Sequence, residues 1–252
     1  MSAGEGGSDA LAGAPRFAPQ GDGALVVSFG ETIDPATNAR VMALEQALRA
    51  AQLPGVVALL PSFRSLLVQY DPLVRDHADL VAQVRCVLAR AQPVPRAVRH
   101  VTIPACYEGE LAPDLADVAR LAGLSAEAAA ALHASAEYQV FMLGFLPGFP
   151  YMGMLPERLR LPRLTTPRLR LPARSLAIAT AMTAIYPLES PGGWRLIGAV
   201  PVDLFDIGAD PPSRLRPGDR VRFRPVSRAA FDSLRAAWLA GDHRLDVTEP
   251  AA

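Results

Sequence analysis

The chain has 252 residues, is 50% hydrophobic and carries a formal charge of zero, which gives it enough apolar material for one large core or two ordinary ones. A neutral balance excludes the basic excess that neutralises nucleic-acid phosphates, so no nucleic-acid partner is expected. All 25 basic residues are arginine; this excludes Walker-A, Schiff-base and kinase-type lysines and leaves arginine or backbone N–H to hold any phosphate or carboxylate.

Residues 1–20 are rich in Gly, Ala, Ser and Pro and carry Glu5 and Asp9 where a signal peptide needs positive charge, so they read as a disordered tail. A βαββα module follows over residues 21–92: strand 24–29, a helix from Asp34 to about Gln52, strands 55–60 and 65–70, and helix 76–91. Asp34 is the expected N-cap with Pro35 at the first helical position, and Val41, Leu44 and Leu48 fall on one face. The second helix repeats that spacing with Leu80, Val84 and Val87 or Leu88. The run Gln92-Pro93-Val94-Pro95 is incompatible with a continuing helix and reads as a stiff linker.

A second domain is expected over residues 98–241. It opens with strand 99–103 and two short helices near 114–121 and 125–135. From Tyr138 to Phe205, Pro147-Gly148, Pro162-Arg163, Pro167-Arg168, Pro172-Ala173 and Pro191-Gly192-Gly193 punctuate short apolar runs, the pattern of short strands joined by rigid turns. Pro217-Gly218 is a tight turn into a late strand, and helix 228–240 closes the domain with Phe231, Leu234 and Trp238 as its apolar stripe. The charge-free stretch 175–188 is too short to span a bilayer, so a soluble, cytoplasmic protein with no membrane partner is expected. Cys86 and Cys106 stand in no metal-ligand spacing, so the expectation is two buried free thiols and no metal.

Ser190-Pro191-Gly192-Gly193-Trp194 is the sharpest local signal. Adjacent glycines either let the backbone approach an anion or make a tight hairpin anchored by Trp194. The loop Gly144 to Tyr151 sets Phe145, Phe149 and Tyr151 beside Gly148, where they wall a pocket or fill a core. Arg163 and Arg168 flank Thr165-Thr166; they either converge on a carboxylate or phosphate or stand solvated. His133, five residues before Tyr138, is a lone histidine, structural or catalytic. Glu189 offers a carboxylate with no second acid at acid–base spacing. No HExxH, GxSxG, EF-hand loop or helix-opening GxGxxG occurs.

At GFLPGFPYMG, the two Pro-Arg pairs with LPA, IYPLESPGGWRLIG and LFD, together with PSFRSLLVQYDP and IPACYEGE, the chain resembles the subunit-1 allophanate-hydrolase family over about residues 20–235. That family includes the B subunit of 5-oxoprolinase and the sporulation-kinase inhibitor KipI. The resemblance implies an α+β fold, with the small βαββα N-terminal domain followed by a cyclophilin-like β-barrel domain. It implies work with a homologous C subunit, and with an A subunit, in ATP-dependent opening of 5-oxoproline to L-glutamate, with no activity alone. ATP, carrying Mg, would be a co-substrate, with no bound cofactor. Phosphorylating the lactam oxygen supplies a leaving group before water attacks, so the protein mainly positions groups and neutralises charge. By the same resemblance His133, Arg163 and Arg168 would be catalytic. Gly148, Phe149, Tyr151, Ser175, Glu189, Ser190, Gly192, Gly193 and Trp194 would bind substrate or nucleotide. The alternatives are a KipI-like inhibitor of a sensor histidine kinase and a carboxyltransferase-like partner in urea or allophanate metabolism.

The chain departs from the family where relatives read PAGS and IAGGQTGIYP. Here Arg174, Thr180, Ala181 and Ala184 replace glycines and Met182 replaces glutamine. Each glycine that held positive φ would cost about 1 kcal/mol or more to replace, and Arg174 would fill space near the site.

Overall fold

A computed structural model describes residues 13–91 and 98–249. The first twelve residues of the expected tail and the Gln92–Pro95 linker lie outside the described residues. The chain divides into two compact units, Met1–Pro95 and Arg96–Ala252.

The first unit contains β1 (Arg16–Pro19), β2 (Ala24–Ser28), α1 (Pro35–Ala51), β3 (Val56–Pro61), β4 (Ser65–Tyr70) and α2 (His77–Arg90). Its antiparallel sheet runs β1-β2-β4-β3. Asp34 caps α1 by accepting from the Thr37 N–H at 2.8 Å, and Asp76 caps α2 through the Asp79 N–H at 2.8 Å. Strand alternation buries Leu25 and Val27 of β2 and Leu66 and Val68 of β4 against Val41, Leu44, Leu48, Leu80 and Val84 of the helices. Two expectations are corrected. Residues 16–19 are a strand and not tail, because Phe17 pairs opposite Val27 and packs on this core after the chain turns at Gly21 (φ 61°). Cys86 is exposed, being two residues past Val84 and so on the outward face of α2.

The second unit begins with β5 (His100–Ala105), α3 (Leu115–Ala122), α4 (Ala126–Ser135), β6 (Glu137–Leu143) and β7 (Pro150–Gly153). It continues through β8 (Arg168–Leu171), β9 (Ser175–Ala179), β10 (Met182–Ile185), β11 (Ser190–Gly192), β12 (Arg195–Ala199), β13 (Arg220–Pro225), α5 (Arg228–Ala240) and β14 (Asp246–Thr248). Eight strands form one sheet in the order β12-β9-β10-β7-β6-β13-β5-β14, and β8 and β11 pair as a separate ribbon. β14 falls beyond residue 241, where the domain was expected to end; Asp-Val-Thr has no apolar run, and its pairing along β5 carries it. β9 explains the long apolar stretch: Leu176 and Ile178 enter the main core while Ala177 and Ala179 enter a second core on the opposite face.

The β12 end of the sheet meets the end of β5. The Cys106 N–H donates to the Ala199 carbonyl and the Ala199 N–H to the Cys106 carbonyl, both at 2.9 Å. Gly198 permits this approach, since a Cβ there would lie 2.6 Å from the Cys106 carbonyl oxygen. Gly198→Ala is therefore expected to cost about 2–3 kcal/mol by forcing the junction apart. Urea unfolding followed by tryptophan fluorescence reads this unit alone, because both tryptophans, Trp194 and Trp238, belong to it; an unchanged midpoint would contradict the expectation.

Candidate functional site

Phe149 is the hub of an aromatic cluster built by β7, β10 and the turns beside them. Its ring lies edge-on to Phe145 at 5.4 Å, Tyr151 at 4.9 Å, Tyr186 at 5.1 Å and Trp194 at 5.9 Å. The exposed Arg163 guanidinium stands 5.8 Å over the Trp194 ring. Burial pushes the Tyr186 phenol up to about 12, against a smaller downward pull from the Trp194 N–H and Arg163, so at neutral pH it is a hydroxyl. Burial likewise raises Tyr151 while Arg163 lowers it. Phe149, Tyr151 and Trp194 are thus brought together as a largely buried aromatic cluster, with the exposed Arg163 guanidinium at its edge.

The glycines serve this cluster by size. Gly192 and Gly193 do not have positive φ; Ser190–Gly192 is strand β11, pairing with β8, and not an anion-cradling turn. A Cβ on Gly192 would lie 2.4 Å from the Tyr186 hydroxyl and 2.7 Å from Leu171. Gly148 does need its freedom: its φ is 74° and a Cβ would meet Phe205 at 2.8 Å.

Arg163 and Arg168 do not converge. Arg168 is forked onto Asp114, Nη1 to Oδ2 at 2.8 Å and Nη2 to Oδ1 at 2.6 Å, and the Leu196 N–H also donates to Asp114 Oδ2 at 2.7 Å. That pair ties β8 to the start of α3 and to β12. Beside it lies a cavity of about 330 Å³ lined by Arg168, Arg170, Arg174, Ser175 and Glu110. Within it, Ser175 donates to the Pro172 carbonyl at 2.8 Å, and Arg170 pairs with Glu189 at 2.7 Å. Leu171 and Leu196 both line this cavity and belong to the core that holds the aromatic cluster. The Ser190 hydroxyl is buried without a hydrogen-bond partner, opposite Leu171.

His133 stands apart from these groups, on the opposite face of the sheet. Its ring is fully buried and is stacked on Tyr138 at 5.1 Å. Thr183 donates its hydroxyl proton to the Ala177 carbonyl at 3.0 Å, so it accepts from His133 Nε2–H at 2.9 Å; Nδ1 then accepts from the Tyr107 hydroxyl at 2.8 Å. Burial lowers its pKa from 6.5 to about 3. Both nitrogens are spent and the ring is neutral, an arrangement that fits the structural reading of this lone histidine. Its partners Tyr107 and Thr183, and Asp114 beneath Arg168, were missed because no local spacing marks a contact across 26, 50 or 54 residues.

Two of the four positions where family glycines are replaced have left-handed backbone: Arg174 at φ 69° and Thr180 at φ 52°. At Arg174 an ion pair to Asp203 at 3.2 Å offsets part of the strain. Burial raises Asp203, but Arg235 and Arg174 outweigh it and hold that carboxyl below its usual range. The Thr180 hydroxyl donates to the neighbouring Ala179 carbonyl and its N–H, a bond that glycine would keep, donates to the Leu161 carbonyl at 2.7 Å. Thr180→Gly is expected to stabilise the protein by about 0.5–1 kcal/mol net of the glycine's chain entropy, raising Tm by roughly 1–4 °C. A thermal melt that moves down would refute this.

The chain is thus a mixed α/β protein with an arginine-lined cavity next to a buried aromatic cluster. The chain belongs to the family described as carboxyltransferase domain, subdomain C and D, whose model matches residues 15–215. It is 37% identical to the B subunit of 5-oxoprolinase from Bacillus subtilis (strain 168), over 85% of this chain and 94% of that protein. Among solved structures it is similar to TTHA0988 at 41% identity and a TM-score of 0.72, over 81% of this chain but 40% of that one, so it spans less than half of that longer chain. The K. lactis urea amidolyase shares the fold, with a TM-score of 0.78 at 22% identity over 93% of this chain and 16% of that one.

Proposed function

We propose that this chain is the B subunit of a 5-oxoprolinase, acting with homologous C and further A subunits to open 5-oxoproline to L-glutamate at the expense of ATP. The observation that carries it is agreement in name among three curated relatives at 37–41% identity. The second unit is read as a cyclophilin-like barrel, supported by the Cys106–Ala199 bridge, which joins β12 at one edge of the sheet to the residue after β5 near the other. A cytoplasmic location fits an ATP-dependent reaction and two free cysteines.

On this reading the exposed Arg163 guanidinium, which stands over the Trp194 ring, takes the 5-oxoproline carboxylate. The groups that fit phosphoryl oxygens are Arg170 and Arg174 at the neighbouring cavity. Among the described residues no group of three His, Cys, Asp or Glu could hold a metal, and Mg would arrive on the nucleotide, neutralising the charge of its phosphates. Arg168 contributes by position, holding β8 between cavity and cluster through Asp114.

The test is ATP hydrolysis by the purified complex of this chain with its C and A partners, with and without 5-oxoproline. Stimulation is expected only with all three proteins present. Arg163→Ala is expected to raise the KM for 5-oxoproline about 10–100-fold, with Arg163→Lys recovering part. Activity of the isolated chain, or a complex indifferent to 5-oxoproline, would overturn the reading.

A further inference from the structure

A second cavity, of about 600 Å³, opens in the second unit where the loop after β12, the end of α5 and β14 come together. Four arginines line it, Arg99, Arg214, Arg216 and Arg244, against two acids, Asp206 and Asp210. Arg99 is committed: its Nε and Nη2 bind the buried Asp219 carboxylate at 3.0 and 2.8 Å. The other three are not. Arg214 reaches Asp206 only at 3.8 Å and Arg216 reaches the exposed Glu249 only at 3.7 Å, and Arg244 has no ion-pair partner among the described residues.

Arg214 and His243 both line this cavity, and one nitrogen of each, Arg214 Nε and His243 Nε2, is buried with no hydrogen-bond partner. A guanidinium N–H left without an acceptor is rare in a native interior and is commonly the mark of an ion or ligand. The two groups flank one ring: Arg214 stands 5.8 Å over Trp238, and His243 meets it edge-on at 6.2 Å. Three uncommitted guanidiniums and an imidazole offer more donors and more charge than one carboxylate can use. A tetrahedral dianion matches them. The volume exceeds what a bare phosphate fills and lies in the range of small-molecule sites.

We propose that this cavity is a binding site for a phosphate-bearing small molecule, with Arg214, Arg244 and His243 holding the phosphoryl group against the edge of Trp238. The proposal does not depend on the 5-oxoprolinase reading, since it involves neither Arg163 nor the 330 Å³ cavity.

The full chain would be titrated with inorganic phosphate, with ATP and with acetate, following Trp238 fluorescence in a Trp194→Phe background so that one indole reports. A saturable change with phosphate assigns the site to the free ion, and one with ATP alone that survives Arg170→Ala but not Arg214→Ala assigns it to a phosphate ester; either supports the proposal. Arg214→Ala and the surface variant Arg244→Ala are each expected to weaken that binding about tenfold or more, with far-ultraviolet circular dichroism confirming the fold. No saturable change below about 10 mM of either phosphate ligand, acetate binding as well as phosphate, or full affinity in both variants would overturn it.

Discussion

His133→Ala is expected to lower the stability of the second unit by about 3–5 kcal/mol. The substitution empties a fully buried ring site and strips the Tyr107 and Thr183 hydroxyls of their shared partner, adding a cavity to two orphaned polar groups. The pH dependence identifies the cause. The folded His133 has a pKa of about 3, against about 6.5 in the unfolded chain. Between those values the unfolded state binds a proton that the folded state refuses, so stability falls as pH falls through this window and the group adds no penalty well above pH 6.5. At pH 5 the penalty is about 2 kcal/mol, and the stability gap between wild type and His133→Ala should narrow by that amount relative to pH 7.5. Urea midpoints at the two pH values, read by tryptophan fluorescence, measure it. A variant as stable as wild type but devoid of turnover in the assembled complex would restore His133 to a catalytic role.

Breaking the Arg168–Asp114 fork should cost about 3 kcal/mol from either side, which lowers Tm by roughly 6–12 °C. The two sides are not equal. Asp114 keeps only 9% of its side chain exposed and Arg168 keeps 35%, so Arg168→Ala strands the more deeply buried charge and should be the worse of the two. Replacing both by leucine removes both charges, leaving only the Leu196 N–H without an acceptor, and is expected to cost clearly less than the sum of the single changes. This cycle separates a structural Arg168 from a catalytic one. If Arg168 acts on substrate, the double variant regains its fold and no activity in the assembled complex; if it only positions β8, part of the activity returns with the fold. Additive losses in unfolding would mean that the two side chains are not coupled in solution.

Much of the scaffold was legible because its determinants are local. Asp34 with Pro35, and Asp76, start helices through bonds spanning three residues. The 3.6-residue recurrence of Val41, Leu44 and Leu48 specifies which face is buried whatever that face meets. The loop 144–151 and the SPGGW segment stood out by turn chemistry and by family resemblance, and the structure gathers Phe149, Tyr151 and Trp194 from them around Arg163. Edge strands were not legible. β1 and β14 carry one large apolar side chain each, Phe17 and Val247, and exist because a neighbour offers unpaired N–H and C=O groups.

The sequence by itself determined the helices and the Asp34 cap, the strand-rich character of residues 138–205, the absence of lysine chemistry and the family to which the chain belongs. Only the tertiary structure decided which partner each charged or polar candidate meets. Arg163 and Arg168 follow the same residue type five positions apart, yet one lies open over Trp194 and the other is locked to Asp114, 54 residues away. His133 is a core residue because Thr183, 50 residues on, closes its second nitrogen. A buried charge or imidazole takes its chemistry from the partner that replaces water, and that partner is chosen by the fold and not by neighbours along the chain.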